Sequence, residues 1–118
     1  MECTLDLEAI ENLRALCRGQ DTGMFADFIA LYLSEAAVQL ETMREAAARE
    51  DAEALWKAAH TLKGASADLG AKGVRRLASR LEELGRSGCT AEAPYVLEAL
   101  GAELGVVAEA FQKLQATP

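Results

Sequence analysis

The chain is poor in everything that a β-rich, disulfide-bonded or metal-binding protein needs. It has two prolines, 5% aromatic residues and three cysteines among 118 residues. Ala, Leu and Glu dominate instead, which favours helix and one all-α domain over residues 1–118. Cys3, Cys17 and Cys89 are odd in number and show no CxxC or Cys/His spacing. That excludes a disulfide framework and a zinc site, leaves no metal ligand set, and fits reduced thiols in the cytoplasm. The opening residues, MECTLDLEAIENL, are acidic where a signal peptide is basic, and no apolar run approaches the roughly 20 residues that span a bilayer. A cytoplasmic protein with no membrane contact is expected.

Positive charge is also scarce overall. The formal net charge is −7, which argues against a nucleic-acid partner, because such binding neutralises phosphates with a basic surface. The charge is uneven, however. Residues 57–80 contain Lys57, Lys63, Lys72, Arg75, Arg76 and Arg80 against Asp68 alone, so this stretch is +5 and the remainder −12. A basic patch on an acidic protein predicts an acidic partner at that patch.

Apolar residues recur at steps of three and four. A short first helix is expected over about 6–17, with Leu7, Ile10, Leu13 and Cys17 on one stripe. Phe25, Ile29, Tyr32, Ala36, Leu40, Met43 and Ala47 predict the longest helix over 22–49. Asp51 is a suitable N-cap for a helix over 51–69, whose stripe is Ala52, Leu55, Ala59, Leu62, Ser66 and Leu69, and Gly70 is suited to follow its end. Val74, Leu77, Leu81 and Leu84 predict a helix over 71–84, stopping at Gly85. The last helix, about 91–115, starts between Thr90 and Pro94 because proline is accepted only in a first turn. Helices with one apolar stripe each and short connections pack as an antiparallel up-down four-helix bundle, with the short N-terminal helix lying across it.

Within this pattern His60 is the single histidine of the chain. At about 100° per residue it lies roughly 160° from Leu62, 140° from Leu55 and 180° from Leu69, so it points away from its own helix's apolar stripe. By itself it reads as a solvated surface residue. Its neighbours change that: Lys63 at i+3 shares its face, and Gly64 at i+4 breaks a local rule, since glycine inside a helix costs about 1 kcal/mol relative to alanine. Helical side chains lean toward the N-terminus, so a side chain at 64 would crowd the imidazole and its absence opens a path. Close helix packing is the competing explanation for Gly64. Ser66 falls on the buried side, where its hydroxyl bonds the backbone four residues back or a neighbouring helix. Hydrolysis would need a nucleophile and base held together, and no such motif is present. Phosphoryl transfer needs only a neutral imidazole nitrogen, nearby positive charge and open access.

The stretch AHTLKGASADLGA, residues 59–71, resembles the signature of histidine-phosphotransfer (HPt) domains, and LASRLEELGRSG resembles that family's next helix. The resemblance covers Phe25 to Phe111. It implies that His60 is phosphorylated, that Lys63 interacts with the phosphoryl group and that Gly64 grants access to the ring. In that family a polar residue on the next helix accepts a hydrogen bond from the other ring nitrogen. Counting through Gly70 places Glu82 there, with Glu83 the neighbouring candidate. The resemblance further implies a monomeric phosphocarrier rather than an enzyme, without a cofactor of its own. Its partners would be receiver domains of response regulators and hybrid sensor kinases, which would supply Mg²⁺ and the catalytic aspartates. Trp56, Lys57, Ala67, Ala71 and Lys72 are the expected contacts on the partner face, with Trp56 equally suited to lie against the bundle. Two alternatives remain at the level of sequence: the phosphorylated module of a chemotaxis-type kinase, and a bundle that binds receivers without chemistry.

Overall fold

The computed structural model of the chain describes Glu8 and residues 24–116, and the side chains of 26–113 within them. The helix expected over 6–17 lies outside the described residues. Four helices and no strand occur among the described residues: α1 Met24–Ala48, α2 Ala52–Asp68, α3 Lys72–Arg86 and α4 Ala93–Ala116, with a single 3₁₀ turn at Thr90–Glu92 before α4. Each helix packs on the next, and α4 closes the ring by packing on α1. The connections are too short for anything but antiparallel neighbours, so the chain runs up and down around one core.

The apolar stripes meet in that core. Ile29, Tyr32, Ala36, Leu40 and Met43 come from α1, Leu55, Ala59 and Leu62 from α2, Val74, Ala78 and Leu81 from α3, and Leu97, Leu100, Leu104, Val107 and Phe111 from α4. Ala46 rather than Ala47 is the fully buried alanine near the end of α1, a drift of one position over seven turns. Ser66 is fully buried, and its Oγ lies 2.8 Å from the phenol oxygen of Tyr32 on α1, whose ring meets Phe111 edge-on. The one hydroxyl in the α2 stripe is thus satisfied across the helix interface.

Local sequence explains the ends of α2. The Asp51 side chain accepts a hydrogen bond from the Ala54 amide at 3.1 Å, supplying a partner that the first turn lacks. At the other end Gly70 takes φ 72°, and the amides of Gly70 and Ala71 fold back onto the carbonyls of Ala67 and Ser66. The chain reverses over Leu69–Ala71 and enters α3 at once.

The end of α3 corrects one expectation. The helix does not stop at Gly85 but runs on to Arg86, and the left-handed residue is Gly88, φ 76°, with Cys89 N–H bonded to Leu84 C=O. Gly85 serves packing instead. A Cβ there would lie 2.6 Å from the Trp56 Cβ, 2.8 Å from the Trp56 nitrogen and 2.9 Å from the Ala52 carbonyl oxygen. Only glycine lets α2 and α3 approach this closely.

Candidate functional site

The α2–α3 hairpin sets the register of the site. His60 and Glu82 lie ten residues before and twelve after Gly70, so they reach the same level on adjacent antiparallel helices. His60 Nδ1 is 2.9 Å from Glu82 Oε2. The histidine side chain is 60% exposed while that of Glu82 is only 8% exposed. Glu82 is therefore the exception on the bundle surface: a carboxylate covered by the side chains that pair with it.

Three groups converge on that carboxylate. Lys63 Nζ donates to Oε1 at 2.5 Å, one turn beyond His60 on α2. Arg86 donates from both Nε and Nη2 to Oε2, at 3.2 and 3.1 Å, one turn beyond Glu82 on α3. The ionic hydrogen bond from Lys63, helped by Arg86 and His60, outweighs burial and holds the Glu82 carboxyl at about 2, below its ordinary 4.5. The group is ionised at neutral pH, and an ionised carboxylate can only accept hydrogen bonds. Nδ1 of His60 must then carry the proton, which leaves the lone pair on Nε2. Among the described residues Nε2 has no hydrogen-bond partner.

Among the described residues, access to Nε2 is open: nothing outside the adjoining backbone of α2 lies within 4 Å of where a Cβ at Gly64 would stand, so Gly64 is not a packing contact between the described helices. Trp56, one turn before His60, is half-buried, and its ring lies under the Arg86 guanidinium, whose carbon is 4.0 Å from the ring centroid. Glu83 is exposed and reaches Arg80, not His60.

The residues expected on a partner face separate into two groups. Ala67 and Lys72 are exposed, as is Lys57, which pairs with Glu53 at 2.8 Å. Ala71 is not part of any surface: it is fully buried in the core at the N-cap of α3, because the turn at Gly70 swings it inward. Ala67 lies two turns beyond His60 on the same face of α2 and borders a recess of about 450 Å³ that Lys72, Arg75 and Arg76 also line. Three of the six basic residues of the stretch, Lys72, Arg75 and Arg76, thus gather at the Gly70 end of the hairpin, beyond the histidine, while Lys57, Lys63 and Arg80 pair with carboxylates elsewhere.

Two parts of the site are not apparent from residue types alone. Arg86 is absent from the expected site residues, although Glu82 and Arg86 form an i, i+4 acid–base pair that the sequence displays. The stacking of Trp56 beneath it depends on the register between helices, which no local pattern reveals. Among the described residues no group of three or more His, Cys, Asp or Glu side chains is placed to hold a metal, and no helix is long and apolar enough to cross a membrane. Cys89 is an exposed free thiol, while Cys3 and Cys17 lie outside the described residues.

Comparison with known proteins bears on the family and the fold. The Hpt domain family matches residues 27–116. No curated protein matches. Among solved structures the chain is similar to histidine-containing phosphotransfer protein B (HptB) from Pseudomonas aeruginosa PAO1, with 23% sequence identity and a TM-score of 0.88 over 98% of this chain and 96% of that one. At that identity the likeness establishes the helical-bundle fold, and the family match carries the rest. With a family match spanning most of its length, the chain belongs to the Hpt domain family, the histidine-phosphotransfer domains of two-component phosphorelays.

Proposed function

We propose that His60 carries the phosphoryl group, on Nε2, and shuttles it between aspartates of receiver domains. One observation carries this reading: the Nδ1 proton is fixed on a buried, ionised Glu82 while Nε2 stands open beside the gap at Gly64. In the forward step the Nε2 lone pair attacks the phosphorus of a receiver's phospho-aspartate. The Nε2–P bond forms as the P–O bond breaks, and that electron pair leaves with the receiver's carboxylate. Nδ1 keeps its proton, so the ring becomes cationic and faces the Glu82 anion. The return step is the reverse, onto another receiver's aspartate.

Lys63 supplies the positive charge nearest the incoming equatorial oxygens, one turn along the same face. The site is a protruding nucleophile, not a cleft. Mg²⁺ and the acidic residues that hold it would therefore come from the receiver, this chain acting as a monomeric phosphocarrier with no cofactor of its own. The exposed Ala67, Lys72 and Arg75, together with Lys57, suit the rim of an acidic receiver pocket, an arrangement that speeds encounter while leaving the complex short-lived.

The test is incubation with phosphorylated receivers. Acid-labile, base-stable phosphate should appear on the wild-type chain and be absent from His60→Gln. Phosphate retained by His60→Gln, or none on the wild type with any receiver of the source organism, would refute the assignment.

A further inference from the structure

The two oxygens of Glu82 are held by different kinds of cation. Oε1 is held by Lys63, a flexible ammonium on α2 whose side chain is 32% exposed. Oε2 takes two N–H groups of Arg86 in addition to the His60 ring. The Arg86 guanidinium is itself supported: it stacks over Trp56, and Trp56 is fixed because its backbone and Cβ lie against Gly85, where no side chain fits. The planar fork therefore has a floor, and the ammonium has none.

A Lys63 ammonium that turns toward a phosphoryl group on Nε2 loosens its hold on Oε1. With that hold loosened, the orientation of the carboxylate on Nδ1 rests on the cation that remains at Oε2. We propose that Arg86, held over the Trp56 ring, is a positioning residue that keeps the Glu82 carboxylate on His60 Nδ1 while Lys63 is away on the phosphoryl group. The proposal rests on the reading of His60 as the phosphoryl carrier. Arg86 itself touches neither the reacting nitrogen nor the transferred group. It makes Lys63 free to move, so Lys63 is the mobile cation and Arg86 the stationary one.

The division of labour can be tested without a partner, because the chain has a single histidine and its imidazole nitrogens give one ¹⁵N NMR pattern. At about pH 9, where a free imidazole is neutral, the pattern reports the tautomer. The wild type should show the Nδ1–H form. Lys63→Ala, which mimics departure of the ammonium, should retain it because Arg86 holds the carboxylate. Arg86→Met, which keeps an apolar stem over Trp56, should also retain it because Lys63 remains. The double variant should lose the single tautomer, and Lys63→Ala with Arg86→Lys should recover it. Loss in Lys63→Ala alone, or retention in the double variant, would overturn the proposal.

A second readout uses protein phosphorylated directly with phosphoramidate. Solvent exchange of Nδ1–H should be about ten-fold faster in Arg86→Met than in the wild type, the worth of one hydrogen bond to a charged group. Equal exchange in the two would count against Arg86. If phosphoramidate leaves no phosphate on the wild-type ring, the assignment of His60 fails, and the tautomer series still decides the role of Arg86.

Discussion

Replacing Glu82 by glutamine keeps the shape of the side chain and removes its charge, so the stability it costs should depend on pH in a specific way. The folded-state carboxyl sits at about 2, against 4.5 when unpaired. At about 1.4 kcal/mol per pH unit, that depression corresponds to about 3 kcal/mol of native-state stability. The figure needs a discount for solvent. Glu82 is covered by Lys63, Arg86 and His60, whose side chains are themselves 32%, 54% and 60% exposed. Screening through that thin cover reduces the contribution to about 2 kcal/mol. Because the folded value is the lower one, the contribution is complete above 4.5 and disappears as the pH falls toward 2. Urea unfolding of wild type and Glu82→Gln, followed by circular dichroism, should show a gap of about 2 kcal/mol at neutral pH that is steady down to about pH 5 and then closes. Other carboxylates titrate in both proteins and cancel in the difference. A gap that stays constant into acid, or widens there, would mean that Glu82 is not the ionised hub described above.

Two glycines of the hairpin should respond in opposite directions. Gly64→Gln meets no neighbouring helix among the described residues and improves helix propensity, so unfolding should show stability raised by about 0.5 kcal/mol. Transfer from receivers should slow by about ten-fold or more, because the new side chain stands where a partner must approach, while small phosphoramidate still reaches the ring. Gly85→Ala should instead cost about 1–3 kcal/mol in the same unfolding assay, since its Cβ would meet the backbone of α2 at 2.8 Å and neither helix can yield alone.

Much of this molecule is legible in its sequence because the core is built from one repeating signal. The α4 stripe emerges from the helical period with no further information, since each buried position lies three or four residues from the last, and the α2 stripe does so except that Ala58 is buried beside Ala59 and Ala52 is only half-buried. His60 is placed on the opposite face by the same arithmetic. Glu82 required the family resemblance and a count through Gly70. Glycine, by contrast, is ambiguous as a letter. Gly85 reads as a helix stop but is a packing contact, because the same missing side chain serves a left-handed turn or a close approach. Ala71 was expected on the partner face as one of a series of small residues, but the reversal at Gly70 turns it into the core. The Trp56–Arg86 contact depends on how two helices slide against one another, which neither helix encodes alone.

That dependence gives the three-residue reversal Leu69–Ala71 a weight that connecting segments seldom have. Surface connections usually tolerate changes in length, since the elements they join are held by their own packing. Here the connection acts as a ruler. One inserted residue carried into α3 would rotate Glu82 about 100° around the helix axis and slide it about 1.5 Å, away from the imidazole. The bundle could repack its apolar stripe around such a slip, but the Nδ1 contact could not be recovered. The length of a turn that touches no substrate is thereby as much a chemical specification of this domain as the histidine it serves.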